Sequence, residues 1–191
     1  MRFRKFVTVI GTKPQDENLS KFGKENGYKV IQEFPRYFDE TEPRLLLWPK
    51  LRNMGQQGNQ RAAIGHALQQ MFKQGKWTIN ADEVSYIAND LNLTPHLNLI
   101  WQQGRSLKLS LVAGTQRPVR VPLFIYDQST HLFFFKDNDE ANLRRIGGIG
   151  WLNARVIRET VAMLPKHFFL YLNTRTGEMF ISKKQLNERK D

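Results

Sequence analysis

Strand-like and helix-like segments alternate along most of this chain, and that alternation leaves few architectures open to it. "RKFVTVIGT", residues 4–12, is rich in β-branched residues and stops at Gly11. "PQDENLSKFGKENG" then reads as a helix entered through Pro14 and closed by Gly27. A short strand, "YKVIQEF", is followed by a proline-containing loop around one more strand, Leu45 to Trp48. "GNQRAAIGHALQQMFKQGK" places Ala63, Ala67, Leu68, Met71 and Phe72 on one face of a helix that ends at Gly75. After the strand "WTINADE" come helices over about 84–91 and 95–104, then the strands "LKLSLVAGTQ" and "THLFFFK". Helices in "NDEANLRRIG" and "GWLNARVIRETVAML" and a hairpin around Thr176-Gly177 complete the chain. Parallel strands need long crossovers, so strands separated by helices predict an α/β domain with a mostly parallel sheet. No internal repeat or linker interrupts the pattern, which predicts one domain over residues 1–191.

Composition then limits the class of protein. With 191 residues, 40% of them apolar and 12% aromatic, the chain can bury a substantial core and is not expected to be disordered. The absence of cysteine excludes disulfides and thiolate metal sites. His66, His96, His131 and His167 lack metal-ligand spacing such as HExxH and read as ordinary polar residues. No run of about 18 apolar residues and no cleavage pattern occur, so a soluble cytoplasmic protein is expected. A net charge of +11 favours polyanionic partners, nucleic acid first among them, with solubility alone as the other reading.

In open parallel sheets, chemistry gathers just beyond the carboxyl ends of the strands. There the sequence puts two adjacent acids, Asp82 and Glu83, straight after "WTINA". One strand-end aspartate plus phosphates is enough to hold Mg²⁺, which keeps several waters. A neighbouring glutamate can orient or deprotonate a water for attack on a phosphoryl group. The same pair also fits a helix start, with Asp82 as cap and Glu83 favouring the positive end of the helix dipole. A second stretch, "GRSLKLSLVAGTQRP", has Arg105 before a strand and Gln116 after it. Glutamine there could contact a γ-phosphate or its attacking water, and arginine could reach a neighbour's phosphates. A turn cap and a solvated helix end are the structural alternatives.

Taken together, "WTINADEVSYI", "GRSLKLSLVAGTQRP" and "THLFFFKDNDEANLRRI" resemble the second half of the FtsK/HerA-like P-loop ATPases, the DNA-translocating and phage-packaging motors. The resemblance covers about residues 3–146 and implies a RecA-like, mostly parallel sheet flanked by helices. In that family the strand ending in Asp-Glu is the Walker B element, the "TQRP"-like strand end carries a polar sensor, and the aromatic strand is the next core strand. The resemblance implies ATP and Mg²⁺ as cofactors. Asp82 would hold Mg²⁺ through water, Glu83 would activate the hydrolytic water, Gln116 would sense the γ-phosphate and Arg105 would act in trans. It also implies DNA as partner and a homo-oligomeric ring, commonly a hexamer. The segment "FVTVIGTKPQDENLSKF" looks like the strand and acidic helix that follow the nucleotide-binding helix, and residues 151–182 form a helix and hairpin beyond the core.

One family element is missing. The phosphate cradle, Walker A, has the form GxxxxGK followed by Ser or Thr. Gly23-Lys24 is followed by Glu25, Gly75-Lys76 by Trp77, "GTKP" has Pro14 in place of the hydroxyl, and "RRIGGIGW" has no lysine. The chain is therefore expected to be the carboxyl-terminal part of an ATPase, lacking the P-loop strand and inactive in isolation, or else a free-standing relative that does not hydrolyse ATP. Two other classes stand beside this. One is a basic nucleic-acid-binding or assembly module using Trp48, Trp101 and Trp151. The other is a metal-dependent nuclease built from Asp82, Glu83 and Asp16.

Overall fold

The computed structural model describes residues 4–36, 38, 40–51, 57–149 and 153–183. It divides into two compact units, Met1–Gln116 with Arg120–Pro122, and Arg117–Val119 with Leu123–Asp191. The first unit contains β1 (Phe6–Ile10), α1 (Glu17–Glu25), β2 (Lys29–Ile31), β3 (Arg44–Leu47), α2 (Gln57–Gln74), β4 (Trp77–Ala81), α3 (Thr94–Gln103) and β5 (Ser110–Ala113). Its strands form one sheet in the order β2-β3-β1-β4-β5, and every pairing is parallel. The α/β reading of the sequence therefore holds.

The middle of the sheet is held by β1, with β3 on one side and β4 on the other. Its residues Phe6, Thr8, Val9 and Ile10 are buried, as β-branched and aromatic side chains are where strands are covered on both faces. In β4 the buried residues are Trp77, Ile79 and Ala81, alternating with the half-buried Thr78 and Asn80. α2 covers the sheet with Gln60, Ile64, Ala67, Leu68 and Met71. The face expected from the sequence is thus turned slightly, since Ala63 and Phe72 are half-buried and Ile64 is fully buried. The segment after β4 is helical over 84–90, as expected, but widens into a π-helical turn over Tyr86–Asp90.

The second unit contains α4 (Leu123–Gln128), β6 (His131–Phe135), α5 (Glu140–Gly147), α6 (Ala154–Met163), β7 (Phe168–Asn173) and β8 (Met179–Lys183). The strand "THLFFFK", expected as the next core strand of the parallel sheet, instead pairs antiparallel with β7, which pairs antiparallel with β8. Its burial alternates along the strand, with Leu132 and Phe134 inside and His131, Phe133 and Phe135 outside. That is the pattern of a sheet packed on one face only. The β7–β8 hairpin turns through Gly177 at φ 73°, where the sequence placed it. Trp151 and the basic run beyond Lys183 lie outside the described residues. No helix among the described residues is long and apolar enough to cross a membrane.

An aromatic cluster anchors the amino ends of β1 and β4. Trp77 is fully buried against Phe6 (ring centroids 5.0 Å apart) and Phe34 (5.7 Å), and its indole N–H donates to Gln74. Trp77→Ala is expected to cost about 3–5 kcal/mol through lost contacts and the cavity left behind. A urea melt followed by circular dichroism would show a much lower midpoint, whereas an unchanged midpoint would mean that the cluster is not the anchor described.

Candidate active site at the carboxyl ends of the central strands

Because β1, β4 and β5 run parallel and in register, with Ile10 opposite Ala81 and Ala81 opposite Ala113, the residues that follow them leave the sheet together. These are Gly11–Lys13, Asp82–Glu83 and Gly114–Gln116. Gly114 is required by closeness, since a Cβ there would lie 2.8 Å from the carbonyl oxygen of Asp82. The approach is stitched by Gly114 N–H to Ala81 (2.8 Å) and Val84 N–H to the Gly114 carbonyl (2.9 Å).

Glu83 is held by this approach. Its Oε1 accepts hydrogen bonds from Ser85 Oγ (2.7 Å) and Thr115 Oγ1 (2.6 Å), and its Oε2 accepts from the Gln116 backbone N–H (3.0 Å). Such charge-assisted bonds fix the carboxylate's orientation. Glu83 also opens the helical segment that follows, its backbone carbonyl accepting from Ile87 N–H (3.3 Å), while its carboxylate reaches across to the end of β5. Gln116 enters through its backbone, and Thr115 supplies the side-chain contact. Asp82 is half-exposed, with Lys13 Nζ 3.8 Å from its Oδ2.

The third strand end is the loop from β1 to α1. Its path is tied down by two distant residues. The Trp48 indole N–H donates to the Lys13 carbonyl (2.6 Å), and the buried Gln60 amide donates to the Thr12 carbonyl (3.1 Å) while accepting from Tyr86 OH (2.8 Å). At the loop's end Asp16 caps α1, its Oδ1 accepting from Leu19 N–H (2.9 Å) and its Oδ2 facing Lys13 Nζ at 3.4 Å. These contacts, the Leu19 amide foremost, hold the Asp16 carboxyl below its ordinary range. Lys13 therefore lies between Asp16 and Asp82.

The four residues expected at the site do not all meet. Asp82, Glu83 and Gln116 come together at the carboxyl ends. Arg105 is exposed in the turn before β5, at the opposite end of that strand. The sequence reading passed over Lys13, Ser85 and Thr115, and took Asp16 only as a possible nuclease acid. Among the described residues no group of three or more His, Asp or Glu is placed to hold a metal ion.

No family model matches the sequence. No curated protein matches it either. Solved structures do share its fold. The genome packaging NTPase B204 from Sulfolobus turreted icosahedral virus 2 in complex with AMPPCP superimposes with a TM-score of 0.58 at 18% identity, over 95% of this chain and 98% of that one. Its complex with ATP-gammaS gives 0.58 and 18% over 97% and 100%. B204, the DNA-packaging ATPase from Sulfolobus Turreted Icosahedral Virus, gives 0.58 at 16% identity over the same shares of the two chains. The fold is thus that of a viral genome-packaging P-loop NTPase.

A helix N-terminus attracts phosphate because its first amides are unpaired. Here one of them already serves Asp16, Glu17 adds a second negative charge in the first turn, and the ammonium of Lys13 neighbours Asp82. The start of α1 thus carries carboxylates where a phosphate would otherwise be drawn.

Asp16→Ala is expected to lower stability by about 1 kcal/mol at neutral pH through loss of the cap. Because the folded carboxyl titrates below the unfolded value of 3.8, the contribution is present above that pH and is lost as pH falls through the lower folded value. Urea melts of both proteins should therefore differ at pH 7 and converge in strong acid; a gap that persists there would refute the cap's electrostatic origin.

Proposed function

We propose that the chain is a subunit of a DNA-handling assembly of the FtsK/HerA packaging and translocation type, and that it does not turn over ATP by itself. One observation carries this reading. A paired aspartate and glutamate stand at the end of a core strand, with the glutamate oriented by the next strand's Thr115 and Gln116, on the fold of a packaging NTPase. The net charge of +11 gives such a subunit an attraction for DNA. In this reading Asp82 and Glu83 are the Walker B pair. In an assembly whose other subunits bring a P-loop and nucleotide, Asp82 would serve Mg²⁺, Glu83 the attacking water and Gln116 the γ-phosphate. Arg105, remote from its own chain's cluster, would serve a neighbouring subunit. The assembly would be a ring, a hexamer by analogy with the family, working in a host cell's cytoplasm.

In this reading no residue of the chain does the work of a phosphate cradle, since none of its Gly-Lys pairs fits the GxxxxGK pattern. A second reading, a nucleic-acid-binding or assembly module without catalysis in any setting, is favoured by the acidic start of α1. It differs only in what Glu83 does.

Duplex DNA binding followed by fluorescence anisotropy, with light scattering for assembly size, tests the proposal. Binding should weaken steeply and log-linearly with salt, and oligomers should form on DNA. A monomer indifferent to DNA at low salt would end the reading. In an assembly that supplies a P-loop, Glu83→Gln should abolish turnover with folding intact, and an unchanged rate would select the non-catalytic module.

A further inference from the structure

The antiparallel sheet of the second unit turns an aromatic face to solvent. By register Phe133 stands opposite Tyr171, Phe135 opposite Phe169 and Tyr171 opposite Phe180, so five rings share the side away from the buried Leu132, Phe134, Leu170 and Leu172. Phe133, Phe135 and Phe180 are 54%, 55% and 45% exposed, at positions where a one-faced sheet ordinarily carries polar residues. The rings support one another. Phe133 lies 5.2 Å from Tyr171 and 5.5 Å from Phe169, and Tyr171 lies 4.7 Å from Phe180, between ring centroids. Tyr171 is fixed further by its hydroxyl, 2.8 Å from Nδ1 of His131, whose ring stacks beside it.

We infer that this face is a platform for single-stranded DNA, with bases stacking on Phe133, Tyr171 and Phe180 and phosphates meeting a lysine rim. The makeup of the face is the first reason. Among the described residues its apolar positions are all rings, with no aliphatic side chain, and a ring offers a π-face to any base. Charge is the second. β6 and β8 run one way and β7 the other, so Lys136 after β6, Lys166 before β7 and Lys183 at the close of β8 gather at one end of the sheet. All three are exposed, and none is in an ion pair among the described residues. Asp137, the acid next to Lys136, is engaged by the Asn142 amide (2.9 Å) and the Asp139 N–H (2.8 Å). Such a rim draws a phosphate backbone. A second copy would answer it poorly, since its own face brings the same lysines and only Glu178, in the hairpin with Arg175, at the other end. The sugar is the third. With the Tyr171 hydroxyl already engaged by His131, the middle of the face holds no open group for a 2′-hydroxyl, by which RNA is told from DNA. The inference stands on this sheet and goes beyond the packaging reading, which concerns duplex DNA.

Anisotropy of a labelled oligothymidylate mixed with the full chain tests it. An abasic oligomer with the same phosphates keeps the charge and loses the bases, and should bind at least about tenfold more weakly. Phe133→Leu with Phe180→Leu keeps apolar surface and removes two rings. It should weaken oligothymidylate binding at least about tenfold while leaving the abasic oligomer and duplex DNA bound as before. Glutamine at Lys136, Lys166 and Lys183 should flatten the log–log salt slope by about two. Equal affinity for the abasic oligomer, or a folded leucine variant that binds as well as the natural chain, would overturn the inference. The abasic comparison uses the natural chain, so it decides even where the variant fails to fold. Tighter binding of the ribose oligomer of the same bases would give the face to RNA. A dimer in light scattering that Phe133→Glu dissociates would give it to a second copy, and either result overturns the inference. Failure of duplex binding refutes the DNA-handling reading and leaves this one to the oligothymidylate.

Discussion

The pairing of β1 with β4 is the interaction on which the rest of the molecule depends. Five residue pairs, from Phe6 opposite Trp77 to Ile10 opposite Ala81, lock two buried strands in parallel register. At their amino ends the register brings Phe6 and Trp77 into one aromatic cluster. At their carboxyl ends it releases Gly11 and Asp82 side by side. A slip of one residue would turn Thr78 and Asn80 toward the side now filled by Trp77, Ile79 and Ala81, leaving polar groups buried and apolar ones wet. The position of the acids is therefore set by hydrophobic burial in the strands, and the chemistry inherits its geometry from the core.

The parts of the site that the sequence made legible are those carried by single strands. "WTINADE" and "LVAGTQ" each display an apolar run that ends in polar residues, and a parallel sheet brings such ends together without further information. The aromatic strand was less legible. In "HLFFF" the outward Phe133 and Phe135 are as apolar as the inward Leu132 and Phe134, so only His131 hints at the alternation that marks a one-faced strand. Likewise, the buried face of α2 is centred by the sheet it meets, and small residues such as Ala63 and Ala67 fit either choice.

Lys13 and Asp16 were illegible for a different reason. Their meeting depends on the course of an irregular loop, and that course is fixed by Trp48 and Gln60, residues 35 and 48 positions away from the carbonyls they hold. No local pattern encodes such a tether.

The charge at this end of the sheet also bears on where a polyanion could be met. The ends of β1 and β4 bring Asp16 and Asp82 to either side of Lys13, with Glu17 and Glu83 beside them in the chain, so carboxylates gather at this end of the sheet although the chain carries +11. At physiological salt, charges interact over a Debye length of about 8 Å, so a duplex feels the nearest patch rather than the total. On the proposed function, a phosphate backbone would be repelled from these carboxylates and met by basic surface elsewhere. Arg105, at the amino end of β5, stands one strand's length from the acids and is free of that repulsion. A polymer-binding face separated from the acid pair by the sheet itself is what a subunit requires if DNA and nucleotide chemistry are to be handled at different places.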